Sequence, residues 1–223
     1  KKQLVRKPCL HDPKYILDAG NAAKALVDKL KDLNPLGYVL ADETSLTSAG
    51  VTTYPTRGVD ICFTCDTLNA FRQWLKGEYA TLADLNEQWE TDFGSWNEVT
   101  ASTKEELLPE KTGNFSSWSD HRTFMEKSFF DAYMISVDVL RQANPGVPVG
   151  LCGTSPPATY TGFDYSRLGQ AFDTHWMYYT GSAGEMWRSF KPEGSFLSCQ
   201  GYGQSELKRK AMIWDTLLNG HKG

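Results

Sequence analysis

The sequence predicts an α/β protein built on a parallel sheet. Three observations carry that reading. Helical and strand-like patterns alternate along the chain, as they do in successive βα units. The strand-like stretches are short apolar runs of the kind that parallel strands show. And 223 residues, 40% of them hydrophobic, can bury one sizeable core, so residues 1–223 read as a single domain.

The elements follow in order. Asp12 can cap a helix with Pro13 at its first position, and Ile16, Leu17, Ala23, Leu26, Val27 and Leu30 recur at helical spacing until Asn34-Pro35. Gly37–Ala41 is a short apolar strand that ends in Asp42-Glu43, and a Ser/Thr/Gly-rich stretch to about Gly58 reads as a loop. Two helices come next, one over Leu68, Phe71, Trp74 and Leu75, the other from the cap candidate Thr81 through Leu82, Leu85 and Trp89. Residues 91–117 look irregular. A long helix over Ser119–Gln142 stops at Asn144-Pro145-Gly146, and Val147–Cys152 is a strand followed by a loop to Gly162. The remainder alternates: helix Tyr165–Ala171, strand Thr174–Tyr178, helix Gly184–Phe190, strand Ser195–Cys199 and helix Glu206–Leu218, with Asn219-Gly220 as its stop.

Four strands, each followed by helix, imply a parallel sheet with right-handed crossovers. Periodicity does not separate an open doubly wound sheet from part of a barrel. No G-x-G-x-x-G or Walker loop follows a strand, which makes a nucleotide-binding sheet the weaker choice.

Composition narrows the function. A net charge of −4 with the signs interspersed argues against nucleic acid or an anionic membrane as a partner. No apolar run reaches the ~18 residues of a membrane span. The basic start, Lys1 to Lys7, is followed by no apolar stretch of the kind a secretion signal has, and the missing initiator Met suggests a processed or excised piece. Seven Trp and ten Tyr suit both core packing and stacking on sugar rings. Five cysteines at these spacings do not make a disulfide scaffold. Cys62-Phe63-Thr64-Cys65 alone is compatible with metal, redox chemistry or a disulfide. Cys152 and Cys199 read as buried strand residues, and His11, His121 and His221 as surface or structural.

The most specific stretch runs Ile61-Cys-Phe-Thr-Cys-Asp66, Phe71-Arg-Gln-Trp-Leu-Lys76, Tyr79-Ala-Thr-Leu82 and Leu85-Asn-Glu-Gln-Trp89. It resembles the glycoside hydrolase family 42 β-galactosidases, whose pattern reads C-x-x-C, F-R-x-W-L-K, Y-G-T-L, L-N-x-x-W-G-T; Ala80 departs from the Gly. Cys9–Tyr15 is similar to the segment before that family's fourth barrel helix, Gly37–Glu43 to the strand that ends in its acid/base, and Asp173–Tyr179 to a later strand. The fourth strand of the family ends in Asn-Glu, whereas here it ends in Asp42-Glu43, so a neighbouring family of the same clan also fits.

The resemblance implies an α/β fold of the (β/α)8 TIM-barrel type with only the later βα units, about four strands, in this chain. A barrel needs eight strands, and two open sheet edges are a liability, so an oligomer or a partner chain that supplies the missing units is expected. The resemblance also implies a carbohydrate substrate; the sequence does not name the compartment, though a cytoplasmic or periplasmic bacterial enzyme is expected before a membrane protein.

Retaining glycoside hydrolysis needs two carboxyls roughly 5 Å apart, supplied in a barrel from the C-terminal ends of different strands. Glu43 fits the acid/base, and burial beside a second carboxylate would keep it protonated. Asp42 would be its hydrogen-bonding neighbour; the plain alternative is that both are a polar strand exit. By resemblance the nucleophile belongs where Gln200 stands, and an amide is a far poorer nucleophile than a carboxylate. Three readings follow: Gln200 is an engineered trap, hydrolysis has been lost and sugar binding kept, or the register is off and Glu206 or, less well placed, Glu193 is the nucleophile. Trp176 or Tyr178 could stack on sugar and His175 or Tyr179 hydrogen-bond near the nucleophile, though barrel packing explains alternate members equally well. Family 42 members often hold a structural zinc with four cysteines; Cys9, Cys62 and Cys65 match three and Asp60 falls at the fourth. No cofactor is required for catalysis.

Overall fold

A computed structural model of the chain describes residues 4–46, 59–110, 113–154, 160–178, 183–191, 196–200 and 205–222. The order is α1 (Pro13–Leu30), a 3-10 turn (Lys31–Leu33), β1 (Tyr38–Asp42), α2 (Cys65–Glu78), α3 (Leu82–Trp89), α4 (Lys104–Glu110), α5 (Ser116–Ala143), β2 (Val149–Thr154), α6 (Tyr165–Ala171), β3 (Thr174–Tyr178), α7 (Ala183–Phe190), β4 (Phe196–Gln200) and α8 (Glu206–Leu218).

The helix starts follow their side chains. Asp12 accepts from the Lys14 amide at 2.8 Å with Pro13 behind it. Thr81 and Asp84 form a reciprocal capping box at the head of α3. Helix α4 occupies part of the stretch expected to be irregular. Thr103 and Glu106 cap it in the same reciprocal way, Thr103 N to Glu106 Oε2 at 2.8 Å and Glu106 N to Thr103 Oγ1 at 3.3 Å. That T-x-x-E signal was available in the sequence but sits in a polar stretch with Pro109 inside it. Helix α5 begins at Ser116, α2 at Cys65, and β2 and β4 run one or two residues later than the apolar runs suggest.

The four strands are all parallel and lie in the order β1-β2-β3-β4. A doubly wound sheet reverses its strand order at a switch point, whereas a barrel adds each strand beside the last. The sequential order therefore makes this a partial (β/α) barrel. One face of the sheet is covered: α5 packs on β1 and β2, α7 on β3, and α1 lies along α5. Tyr38, Val149, Leu151, His175 and Met177 are buried under these helices, in one continuous cluster with Phe71, Leu75, Leu85, Phe124, Leu140 and Trp187 for all but His175. On the other, more open face Val39 is exposed and Cys152, Trp176 and Tyr178 are half-buried, so among the described residues β1 to β3 are less covered on that side, and Cys152 is not the buried residue expected.

Candidate active site

An irregularity at the end of β1 shapes the site. Between the pairs Val39↔Gly150 and Asp42↔Cys152, β1 spends one residue more than β2, a bulge. Simple alternation from the buried Tyr38 would send Asp42 to the helix side; the extra residue returns it to the open face, in register with Cys152. Cys152 pairs with Trp176, and Trp176 with Ser198, so one row crosses all four strands. The next row toward the strand ends pairs Tyr178 with Gln200. Glu43 follows Asp42 directly, in a left-handed conformation with φ of 50°.

Residues 43–46 after β1 are held by hydrogen bonds, while the rest of the expected loop, 47–58, lies outside the described residues. The Glu43 amide donates to the Cys152 carbonyl at 3.3 Å, and Thr44 Oγ1 is hydrogen-bonded to the phenol of Tyr133 on α5. The Leu46 amide donates to the Thr161 carbonyl at 3.0 Å, its carbonyl accepts from Arg6 Nε at 3.1 Å, and its side chain is buried. Burial pushes the Tyr133 phenol well above its ordinary range, which keeps it a neutral hydrogen-bonding group. Asp42 and Glu43 themselves are exposed, so Glu43 lacks the burial that was expected to keep it protonated.

The predicted sugar-facing residues divide. Trp176 and Tyr178 lie on the open face with Asp42. His175 does not: it is completely buried on the helix side, its Nε2 hydrogen-bonded to Thr154 Oγ1 and its ring packed on Trp187 at 3.9 Å and edge-on to Tyr165 at 5.7 Å. Burial lowers its pKa to about 3, so the imidazole is neutral and cannot serve the substrate from there. The alternation of a strand puts neighbours on opposite faces, and only Trp176 and Tyr178 drew the open one. Glu206, the alternative nucleophile, opens α8, is exposed, and pairs with Lys210 one turn on at 2.6 Å. Tyr179 and Glu193 lie outside the described residues.

The four residues matched to a zinc site do not form one. Asp60 is buried with its carboxylate already engaged: Oδ2 accepts from the Lys104 amide at 2.7 Å, and Trp118 Nε1 donates to both oxygens at 3.0 and 3.1 Å. Arg122 Nη1 stands 3.9 Å away as its counter-charge. Cys9 Sγ sits against Thr64 Oγ1 and Thr67 Oγ1 at 3.2 and 3.3 Å, Cys65 is exposed at the head of α2, and Cys62 is buried. Among the described residues no three Cys, His, Asp or Glu side chains gather as metal ligands. The residues do not fit the metal.

A parallel, sequentially ordered sheet with carboxylates and aromatics at its strand ends is the setting of many barrel glycosidases, and comparison with known proteins places it among them. The sequence model of glycoside hydrolase family 42, described as "Beta-galactosidase", matches residues 11–210. The chain belongs to glycoside hydrolase family 42. One relative, β-galactosidase LacZ of Heyndrickxia coagulans, is 32% identical over 111 residues, which are 48% of this chain and 16% of that protein. The crystal structure of a β-galactosidase from Bacillus circulans sp. alkalophilus matches with a TM-score of 0.58 at 23% identity, over 82% of this chain and 27% of that one. The catalytic domain of a β-amylase from Paenibacillus polymyxa matches with a TM-score of 0.64 at 16% identity, over 92% of this chain and 61% of the other. At these identities the structural matches show the fold alone. The chain spans about a sixth of the length of the curated relatives it matches.

Proposed function

We propose that this family 42 chain contributes the acid/base half of a retaining glycoside hydrolase site that acts on a β-galactoside or related β-glycan. The observation that carries the proposal is the bulged exit of β1, which turns Asp42 to the open face, with Glu43 directly after it, at the same end of the sheet as Trp176, Tyr178 and the close of β4. Glu43 would protonate the leaving oxygen and then activate water, Asp42 would hold a substrate hydroxyl, and Trp176 and Tyr178 would stack on the ring. Glu43 and Gln200 stand on strands three gaps apart, about 14 Å along the sheet. Inward-reaching side chains close that to roughly 5 Å only over a curved sheet, which is what a barrel provides.

Gln200 rather than Glu206 is taken as the nucleophile position, because Glu206 is an exposed first-turn acid already paired with Lys210. A Gln there favours a second reading, a barrel that binds carbohydrate without cleaving it. In both readings another segment or chain supplies the remaining strands. The edges of β1 and β4, unpaired among the described residues, support this, as does the exposed apolar side of α8, formed by Leu207, Ile213, Trp214, Leu217 and Leu218.

Turnover of lactose, whose leaving group needs a proton, by the protein, by Glu43→Gln and by Gln200→Glu decides between them. Hydrolysis that appears or rises with Gln200→Glu and falls by about 100-fold or more with Glu43→Gln supports the enzyme. Sugar binding with no turnover in any form selects the binding protein, and undiminished turnover in Glu43→Gln removes Glu43 from the chemistry.

A further inference from the structure

Gly153, on β2, faces the exit of β1. It has φ of 64°, in the left-handed region, and is the extra residue of a second bulge, this time between Cys152↔Trp176 and Thr154↔Met177. A Cβ at this position would lie 2.3 Å from Asp42 Oδ1 and 2.8 Å from both the Glu43 amide nitrogen and Glu43 Cγ. Two of those three atoms belong to the residue proposed as acid/base, and one of them is backbone, which cannot swing aside. The space taken up by the root of the Glu43 side chain is therefore space that β2 leaves by having no side chain there. On the other side of the same short segment, Thr44 is tied to Tyr133.

We infer that Gly153 and Tyr133 are positioning residues for Glu43: the first clears its place beside β2, and the second ties the following residue to α5. Both are buried. The inference rests on the reading of Glu43 as acid/base for its functional consequence, and on the contacts alone for its geometry.

Gly153→Ala would push the Asp42–Glu43 segment away from β2, and Tyr133→Phe would release Thr44 while leaving the aromatic packing of Tyr133 on Phe129 and Phe172 in place. The first readout is crystallographic. In both variants the Glu43 carboxyl is expected to move by about 1 Å or more with the rest of the sheet unchanged, a displacement that costs catalysis heavily. The second is kinetic, in the protein as it stands if it hydrolyses galactosides and in the Gln200→Glu background if it does not. A misplaced acid matters for a poor leaving group and hardly at all for one that departs without a proton. The kcat/KM for lactose should fall roughly 10- to 100-fold, and that for 2,4-dinitrophenyl β-galactoside should stay within about threefold. A purely structural role would lower both together.

Glu43 left in place in both variants, or equal losses on the two substrates, overturns the inference. Should Gly153→Ala fail to fold, Tyr133→Phe decides alone by the same criteria. If Glu43→Gln lacks the leaving-group dependence, or no form turns over either substrate, the acid/base reading falls instead, and the crystal structures still decide the positional claim.

Discussion

Trp118 Nε1 donates to both carboxylate oxygens of Asp60, at 3.0 and 3.1 Å, and so ties the segment before α2 to the first turn of α5. With the Lys104 amide on the same carboxylate and Arg122 as counter-charge, Asp60 joins three parts of the chain at one buried point.

Asp60→Ala would strand Arg122 as a buried charge, since among the described residues its guanidinium nitrogens make no hydrogen bond. A loss of about 3–5 kcal/mol in urea unfolding is expected. Asp60→Asn keeps the shape and one acceptor oxygen and should recover part of it. Equal stability of all three forms would mean that the carboxylate anchors nothing.

The same contacts make a prediction about metal. With Asp60 committed elsewhere and Cys9 set against Thr64 and Thr67, dialysis against EDTA should leave the melting temperature unchanged, and protein purified without chelator should carry far less than one zinc per chain. Stoichiometric zinc together with a drop in melting temperature on chelation would reverse this.

His175 gives the fold a pH dependence. Its folded pKa, about 3, lies below the ordinary 6.5, so the unfolded chain binds this proton more readily. The contribution is whole above pH ~6.5 and is lost as the pH falls from there toward 3, reaching on the order of 2 kcal/mol at pH 5. Urea unfolding at pH 7.5 and pH 5 should show that slope in the protein, and His175→Phe should flatten it by the same amount. The two faces of β3 should also separate. Trp176→Ala is expected to weaken galactoside binding by about 1 kcal/mol, roughly fivefold in Kd, with little effect on stability.

Gly162 has φ of 82°, and a Cβ there would lie 2.8 Å from Phe129 Cδ1 and 2.9 Å from Leu46 Cβ. Gly162→Ala should therefore cost roughly 2–4 kcal/mol, by backbone strain and by overpacking against the residue that ends the pinned segment after Glu43. A change under half of that, measured by chemical denaturation, would show that the Leu46 contact yields easily.

Much of the fold was legible because its signals are local. The caps at Asp12, Thr81 and Asn144, and the alternation of apolar runs with helical spacing, need only a few neighbouring residues to be read. Asp42 and Glu43 were legible as a polar strand exit for the same reason. What escaped depends on pairing between distant segments. The β1 bulge, which decides the face Asp42 takes, exists only against β2, more than a hundred residues later in the chain. His175 and Trp176 are adjacent polar aromatics in sequence, and nothing local says which of them meets the helices. Asp60 looked like a ligand by its position among cysteines, yet its partners Lys104, Trp118 and Arg122 come from α4 and α5.

Helix α5 runs for 28 residues, about 42 Å, and its contacts fall into two sets along that length. Near its start, Trp118 and Arg122 meet Asp60, and Phe124 meets Phe71 and His11. Near its end, Tyr133 holds Thr44, and Arg141 bonds Asp173 at 3.0 Å, beside the first residue of β3. A single residue inserted between Phe124 and Tyr133 would turn one set by about 100° against the other. No choice of side chain could then restore both at once. The length of this stretch is thus a phase setting between the segment ahead of α2 and the strand ends, and it should tolerate substitution far better than insertion or deletion.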